Sequence, residues 1–132
     1  MATAYWCILI AALLPYAWVA VAKTAAPAYN NKDPRTWIAR QESYRARNAN
    51  AAHLNAFEAF PAFAASVLMA QFAGVDPQRI GMLAVAFVGL RVLHGGFYLG
   101  GIHALRSLAW LGGFACVVAL MAQAALKVAG AP

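Results

Sequence analysis

Four long apolar stretches occupy most of this 132-residue chain: residues 2–22, 48–73, 80–101 and 107–128. At about 1.5 Å per residue, a helix over any of them covers the roughly 30 Å of a bilayer's hydrocarbon core. The composition leaves little alternative, with 64% hydrophobic and only 11% charged residues. A soluble chain of this length buries only about two-thirds of its extended surface, so it would expose much of that apolar content to water. Disorder needs the reverse composition. The expected fold is all-α: one integral membrane domain over residues 1–132, a four-helix up-down bundle with short connections.

The first stretch is interrupted only by Pro15, which a membrane helix tolerates. No Lys or Arg precedes it, so a retained helix is expected rather than a signal peptide. Residues 23–47 are polar. Asp33 before Pro34 is a helix-start signal, and no Gly or Pro follows until Pro61. One helix is therefore expected from Pro34 to about Ala73, with a kink at Pro61. The residues Gly74, Val75, Asp76 and Pro77 spell a tight turn. A short polar connection is expected at residues 102–106. Gly96 and Gly100, four apart, are positions where helices could approach closely.

The net charge is +6, and six of the ten basic residues fall in the segment from Lys23 to Arg47. Such clustering between apolar runs reads as a cytoplasmic loop and not as a nucleic-acid surface. With Arg106, that side holds seven Lys or Arg, against Arg79 and Lys127 on the other. The positive-inside rule puts the basic side in the cytoplasm and both termini on the opposite face. Cys7 and Cys116 lie inside apolar runs and read as buried thiols.

Polar residues inside the apolar runs carry the chemistry. Asn48, Asn55 and Glu58 share one face of the second span, and Arg91, His94 and Tyr98 share one face of the third. Counted from Asn48 inward and from Gly101 inward, Glu58 and Arg91 both lie roughly 15 Å deep, and Asn55 and His94 roughly 10 Å. Glu58 should therefore neutralise Arg91, and Asn55 should sit beside His94. An unpaired charge at mid-membrane costs at least about 2.5–3.5 kcal/mol. Two readings remain open. The pair can be structural, with Asn55 and His94 as interhelical hydrogen bonds worth about 0.6 kcal/mol each. Alternatively the group lines a polar pocket for a small anionic or zwitterionic ligand, with guanidinium for carboxylate, Glu58 for an amine and Asn55 for amides. His53, His94 and His103 lack the spacing of metal ligands, and no Ser-His-Asp set, phosphate loop or CxxC is present.

The run Asn55-Ala56-Phe57-Glu58-Ala59-Phe60-Pro61 resembles the second helix of the MAPEG family, membrane-associated proteins in eicosanoid and glutathione metabolism. Arg91, His94 and Tyr98, followed by Arg106 and Ser107, are similar to that family's third helix and the start of its fourth. The stretch Tyr29-Asn30-Asn31-Lys32-Asp33-Pro34-Arg35 resembles a bacterial branch. The resemblance implies a homotrimer in a bacterial inner membrane, with glutathione between adjacent subunits near the cytoplasmic side. It assigns glutathione contacts to Asn55, Glu58, Arg91 and Tyr98, with His94 on the same face. Arg106 lies near the arginine credited with stabilising the thiolate. Where the family's enzymes often carry arginines, this chain has Ala51 and Lys23; Arg47, one turn before Ala51, is the substitute candidate for contacting glutathione.

The function implied is a glutathione transferase or peroxidase acting on lipophilic small molecules that arrive through the bilayer. The alternative is a non-enzymatic structural or partner-binding bundle that kept the scaffold. A third reading is a proton or solute pathway through Glu58, His94 and Tyr98.

Overall fold

The computed structural model describes residues 1–130; residues 131–132 of the expected single domain lie outside the described residues. The described chain is all helical. It consists of α1 (Ala2–Thr24), α2 (Pro34–Ala39), α3 (Tyr44–Phe72), α4 (Pro77–Gly100) and α5 (His103–Ala129). Helix α3 packs against α1, α4 and α5, while α4 also packs on α1 and α5. The connections α3–α4 and α4–α5 are too short to cross the molecule, so these neighbours run antiparallel.

Three helices, α1, α4 and α5, are long and apolar enough to cross a membrane. Helix α3 is the longest at 29 residues, yet it carries Arg45, Arg47, His53 and Glu58. Large apolar side chains such as Trp6, Leu13, Leu108, Leu111 and Leu126 point outward, as expected where the solvent is lipid. The interior is filled largely by small residues, among them the fully buried Ala4, Ala46, Ala49, Ala52 and Ala84. Alanine at a crossing lets backbones approach and gain dispersion contacts, the main attraction available between helices in lipid. The bulk of the core is concentrated at Phe63, Val67, Ile80 and Leu120. There the rings of Phe63 and Phe87 stack with centroids 3.9 Å apart. Cys7 and Cys116 are both buried and free.

The basic segment departs from expectation. A single helix from Pro34 to Ala73 does not form; the segment is cut into α2 and α3, so the described chain has five helices and not four. Asp33 does cap α2, accepting from the Thr36 backbone N–H at 3.2 Å, and hydrogen bonding to Thr36 holds its carboxyl below the ordinary aspartate pKa. The cut comes from a second cap. Ser43 Oγ accepts from the Ala46 N–H at 3.2 Å and donates to the Ala25 carbonyl at 3.0 Å. One hydroxyl thus starts α3 and ties the segment back to the end of α1. Losing both bonds in Ser43→Ala should lower stability by about 1–2 kcal/mol, while Ser43→Thr keeps most of it. Thermal melts of the two variants check this.

Two further connections are set by local chemistry. Between α3 and α4, Gly74 takes φ +73°, and Asp76 caps α4 by accepting from the N–H groups of Gln78 and Arg79. Between α4 and α5, only Gly101 and Ile102 intervene, with Gly101 at φ +67°. The expected polar connection at residues 102–106 is therefore mostly helix, and Arg106 stands in the first turns of α5. Helix α3 continues through Pro61. His53 Nδ1 lies 2.8 Å from the Pro15 carbonyl; a carbonyl can only accept, so that nitrogen carries the proton and ties α3 to α1.

Candidate functional site

The polar residues of α3 and α4 do meet, in a register different from the one counted along the sequence. Asn48 Nδ2 donates to the Tyr98 carbonyl at 2.8 Å, and Arg91 Nη2 donates to Asn55 Oδ1 at 2.7 Å. Both helices advance seven residues between these two contacts, in opposite directions. The expected pairs, Glu58 with Arg91 and Asn55 with His94, assume a register shifted by three residues, about 4.5 Å along the axis. Glu58 reaches the guanidinium through Asn55, whose Nδ2 donates to Glu58 Oε2 at 3.2 Å. The result is a relay, cation to amide to carboxylate. Its inner end is buried, with Arg91 only 4% exposed, and its outer end is open at Glu58.

The relay forms one wall of a cleft of about 260 Å³ between α3, α4 and α5. Phe87 lies one helical turn from Arg91 and backs onto Phe63 in the core. Trp110 and Phe114, also one turn apart, make the opposite wall, their rings nearly parallel with centroids 5.4 Å apart. Gly113 of α5 packs directly on the Arg91 stem and the Phe87 ring, where a Cβ would make ordinary contacts at 3.6 and 3.8 Å. The cleft thus offers a buried cation, an amide, a carboxylate at the mouth and an aromatic wall whose rings are largely exposed.

The remaining expected residues form a separate group beside it. His94 is 3% exposed and meets the Tyr98 ring edge-on, centroids 5.0 Å apart. The Arg106 guanidinium lies 4.6 Å from the centre of the same ring. Tyr98 thus stacks against His94 and Arg106 about 10 Å along α4 from Arg91, judged by helix rise. Among the residues counted in sequence, Asn55, Glu58 and Arg91 line the cleft, and His94, Tyr98 and Arg106 do not. Arg47 is exposed and stands two turns before Asn55. Lys23 lies elsewhere, 4.7 Å above the Tyr29 ring, in a second cavity bounded by α1, the polar segment and α3.

The aromatic walls were not singled out in the sequence. Phe87 with Arg91, and Trp110 with Phe114, are i, i+4 pairs, and that spacing was the available signal.

The model of the MAPEG family matches residues 3–126, nearly the whole chain. The chain belongs to the MAPEG family. No curated protein and no solved structure matches it. With three apolar helices of membrane-crossing length, this MAPEG protein is an integral membrane protein, and its family is one of glutathione-related or eicosanoid-related membrane proteins in general.

Proposed function

We propose that this protein is a membrane-embedded glutathione transferase or peroxidase acting on lipophilic electrophiles. The observation that carries the reading is the Arg91–Asn55–Glu58 relay, buried at Arg91 and open at Glu58, in a cleft with an exposed aromatic wall. Arg91 suits a carboxylate of the tripeptide, Asn55 its amides and Glu58 its amino group. The aromatic pair Trp110–Phe114 suits the apolar co-substrate. Arg106, held over Tyr98 outside the cleft of a single chain, would supply the positive field that favours thiolate over thiol near neutral pH where the assembled site extends to it. The thiolate sulfur then attacks the electrophilic carbon and displaces its leaving group, or attacks a hydroperoxide's terminal oxygen and breaks the O–O bond. The second course leaves a sulfenic acid on the glutathione sulfur and an alkoxide that takes a proton from water to leave as alcohol. A second glutathione thiol then attacks the sulfenic sulfur, forming the disulfide and releasing water.

A single chain encloses too little for both reactants, since ligand sites for such molecules span roughly 300–1,000 Å³. Glu58 also faces outward on a long helix, where lipid would penalise its charge. Both features favour an assembly in which a neighbouring copy covers the cleft, and the proposal takes the homotrimer implied by the family. In that assembly all four long helices cross the bilayer, with the basic segment in the cytoplasm and both termini opposite; the membrane is proposed to be a bacterial inner membrane.

The test is thermal unfolding of the detergent-purified protein with millimolar glutathione and, separately, S-hexylglutathione. A ligand at about 100 times its Kd adds roughly 2.7 kcal/mol of stability, enough for a clear upward shift. A folded protein indifferent to both ligands would move the reading to a non-enzymatic bundle. Two observations favour that second reading specifically. Ala51 brings no cation to the cleft, and Lys23 is turned toward Tyr29 in another cavity.

A further inference from the structure

A second cavity, of about 330 Å³, lies on the other side of α3 from the cleft, where the polar segment folds over the end of α1. It is built and not loose. Trp37 is buried and donates from Nε1 to the Pro27 carbonyl at 3.3 Å. The Tyr29 ring meets Trp37 edge-on at 5.1 Å, and Ser43 fastens the segment to Ala25 at 3.0 Å. Besides Tyr29 and Trp37, the polar side chains lining the cavity are Lys23, Arg35, Asn50 and His53. Among the described residues no carboxylate lines it. Lys23 closes on the Tyr29 ring at 4.7 Å, a contact that fixes the ammonium without neutralising it.

The cavity's level in the fold says what such a site meets. It begins where α1 ends, so its charged rim lies where an apolar span gives way to water. Tyr29 and Trp37 are residue types that settle at headgroup depth, and the lysine and arginine beside them can reach the phosphate level. On the lipid side the lining turns apolar, at Val19 and Leu54. A polar, positively charged recess that continues into an apolar wall matches a molecule with an anionic head and a hydrocarbon tail.

We propose that this cavity binds the phosphate headgroup of an anionic phospholipid, with Lys23 and Arg35 on the phosphate and an acyl chain along Val19 and Leu54. This site is separate from the cleft and does not depend on the glutathione reading. The lipid anchors the polar segment to the bundle by joining α1 and α2 through its headgroup and α1 and α3 through its acyl chain.

The experiment uses the full-length protein in nanodiscs and in detergent. Retention of phosphatidylglycerol against phosphatidylcholine is read by native mass spectrometry, and thermal stability is read in parallel. Wild type should favour phosphatidylglycerol by about thirtyfold, at about fivefold per interfacial cation. The variant Lys23→Gln/Arg35→Gln should lose the preference, while Arg79→Gln/Lys127→Gln, on the opposite side, should keep it. Should the first variant fold poorly, stabilisation of wild-type protein by phosphatidylglycerol and not by phosphatidylcholine reads the same preference. Soluble glycerol 3-phosphate should give no comparable stabilisation. Equal retention of the two lipids, a preference that survives Lys23→Gln/Arg35→Gln, or full stabilisation by the soluble phosphate would each overturn the proposal.

Discussion

Arg91→Leu is expected to abolish stabilisation by glutathione and to lower the melting temperature of the free protein, and the two losses should come apart in a double variant. Leucine replaces the apolar stem of the buried arginine but leaves Asn55 Oδ1 without its 2.7 Å donor. Glu58, bonded to Asn55 at 3.2 Å, then has no cation behind it. With α3 across the bilayer, as proposed above, a carboxylate left this way would cost at least about 2.5–3.5 kcal/mol. Converting it to an amide removes the charge, so Arg91→Leu/Glu58→Gln should recover most of the lost stability. The double variant has no guanidinium to hold a carboxylate, so it should regain no response to glutathione. Arg91→Lys should fall between, since a point charge replaces a planar fork. Melting curves with and without ligand for the four proteins separate these cases. If folded Arg91→Leu still shifted fully with glutathione, Arg91 would be a structural residue and the ligand would bind elsewhere.

What the sequence made legible was the identity of the polar face. The spacing of Asn48 and Asn55 and that of Arg91 and Tyr98 put four residues on two facing stripes, and the structure joins those stripes at both ends. The register was not legible. Depth was counted from an assumed membrane entry at Asn48, but α3 starts at Tyr44 and α4 ends at Gly100, and errors of a few residues at each end change which side chains are level. The expected Glu58–Arg91 contact thus became a relay through Asn55, and the Asn55–His94 contact gave way to His94 against Tyr98. The break between α2 and α3 carries another lesson. Without Gly or Pro, residues 40–43 showed no stop signal, and Ser43 reads as a cap only once its hydroxyl is seen to face both Ala46 and Ala25. Tertiary partners decided what local propensity left open. The trimer and the glutathione contacts came from resemblance, and the orientation from the placement of the basic residues on one side; none of the three came from the spacing of the polar face.

Gly95→Ala should be among the most destabilising single substitutions in the chain. The sequence pointed to Gly96 and Gly100 as the close-approach positions, but the structure uses Gly95. A Cβ built there would lie inside the indole of Trp18, where α1 crosses α4, whereas a Cβ on Gly96 would meet nothing within 4 Å. At Gly100 the nearest atoms belong to Ile102 of its own connection, at 3.6 Å. The indole is a rigid ring carried by α1 and partly buried against α4, so relief requires either a new Trp18 rotamer or separation of α1 from α4. Overpacking of this kind costs about 1–3 kcal/mol, occasionally more, and the overlap with a ring interior puts Gly95→Ala near the top of that range. Gly96→Ala is the internal control: in a helix with open space around it, the added methyl should be neutral or gain a few tenths of a kcal/mol. Trp18→Leu alone leaves a void and should cost about 2–4 kcal/mol. Combined with Gly95→Ala, it removes the ring that the methyl strikes, so the double variant should be clearly more stable than the sum of the single losses. Gly95 follows the buried His94 and lies one turn from Arg91, so separating α1 from α4 moves the same stretch of helix that carries the relay. A weaker glutathione response in Gly95→Ala, restored in the double variant, is therefore expected alongside the melting data. Equal melting temperatures for Gly95→Ala and Gly96→Ala would mean that Trp18 is free to move and that the α1–α4 crossing does not position the cleft.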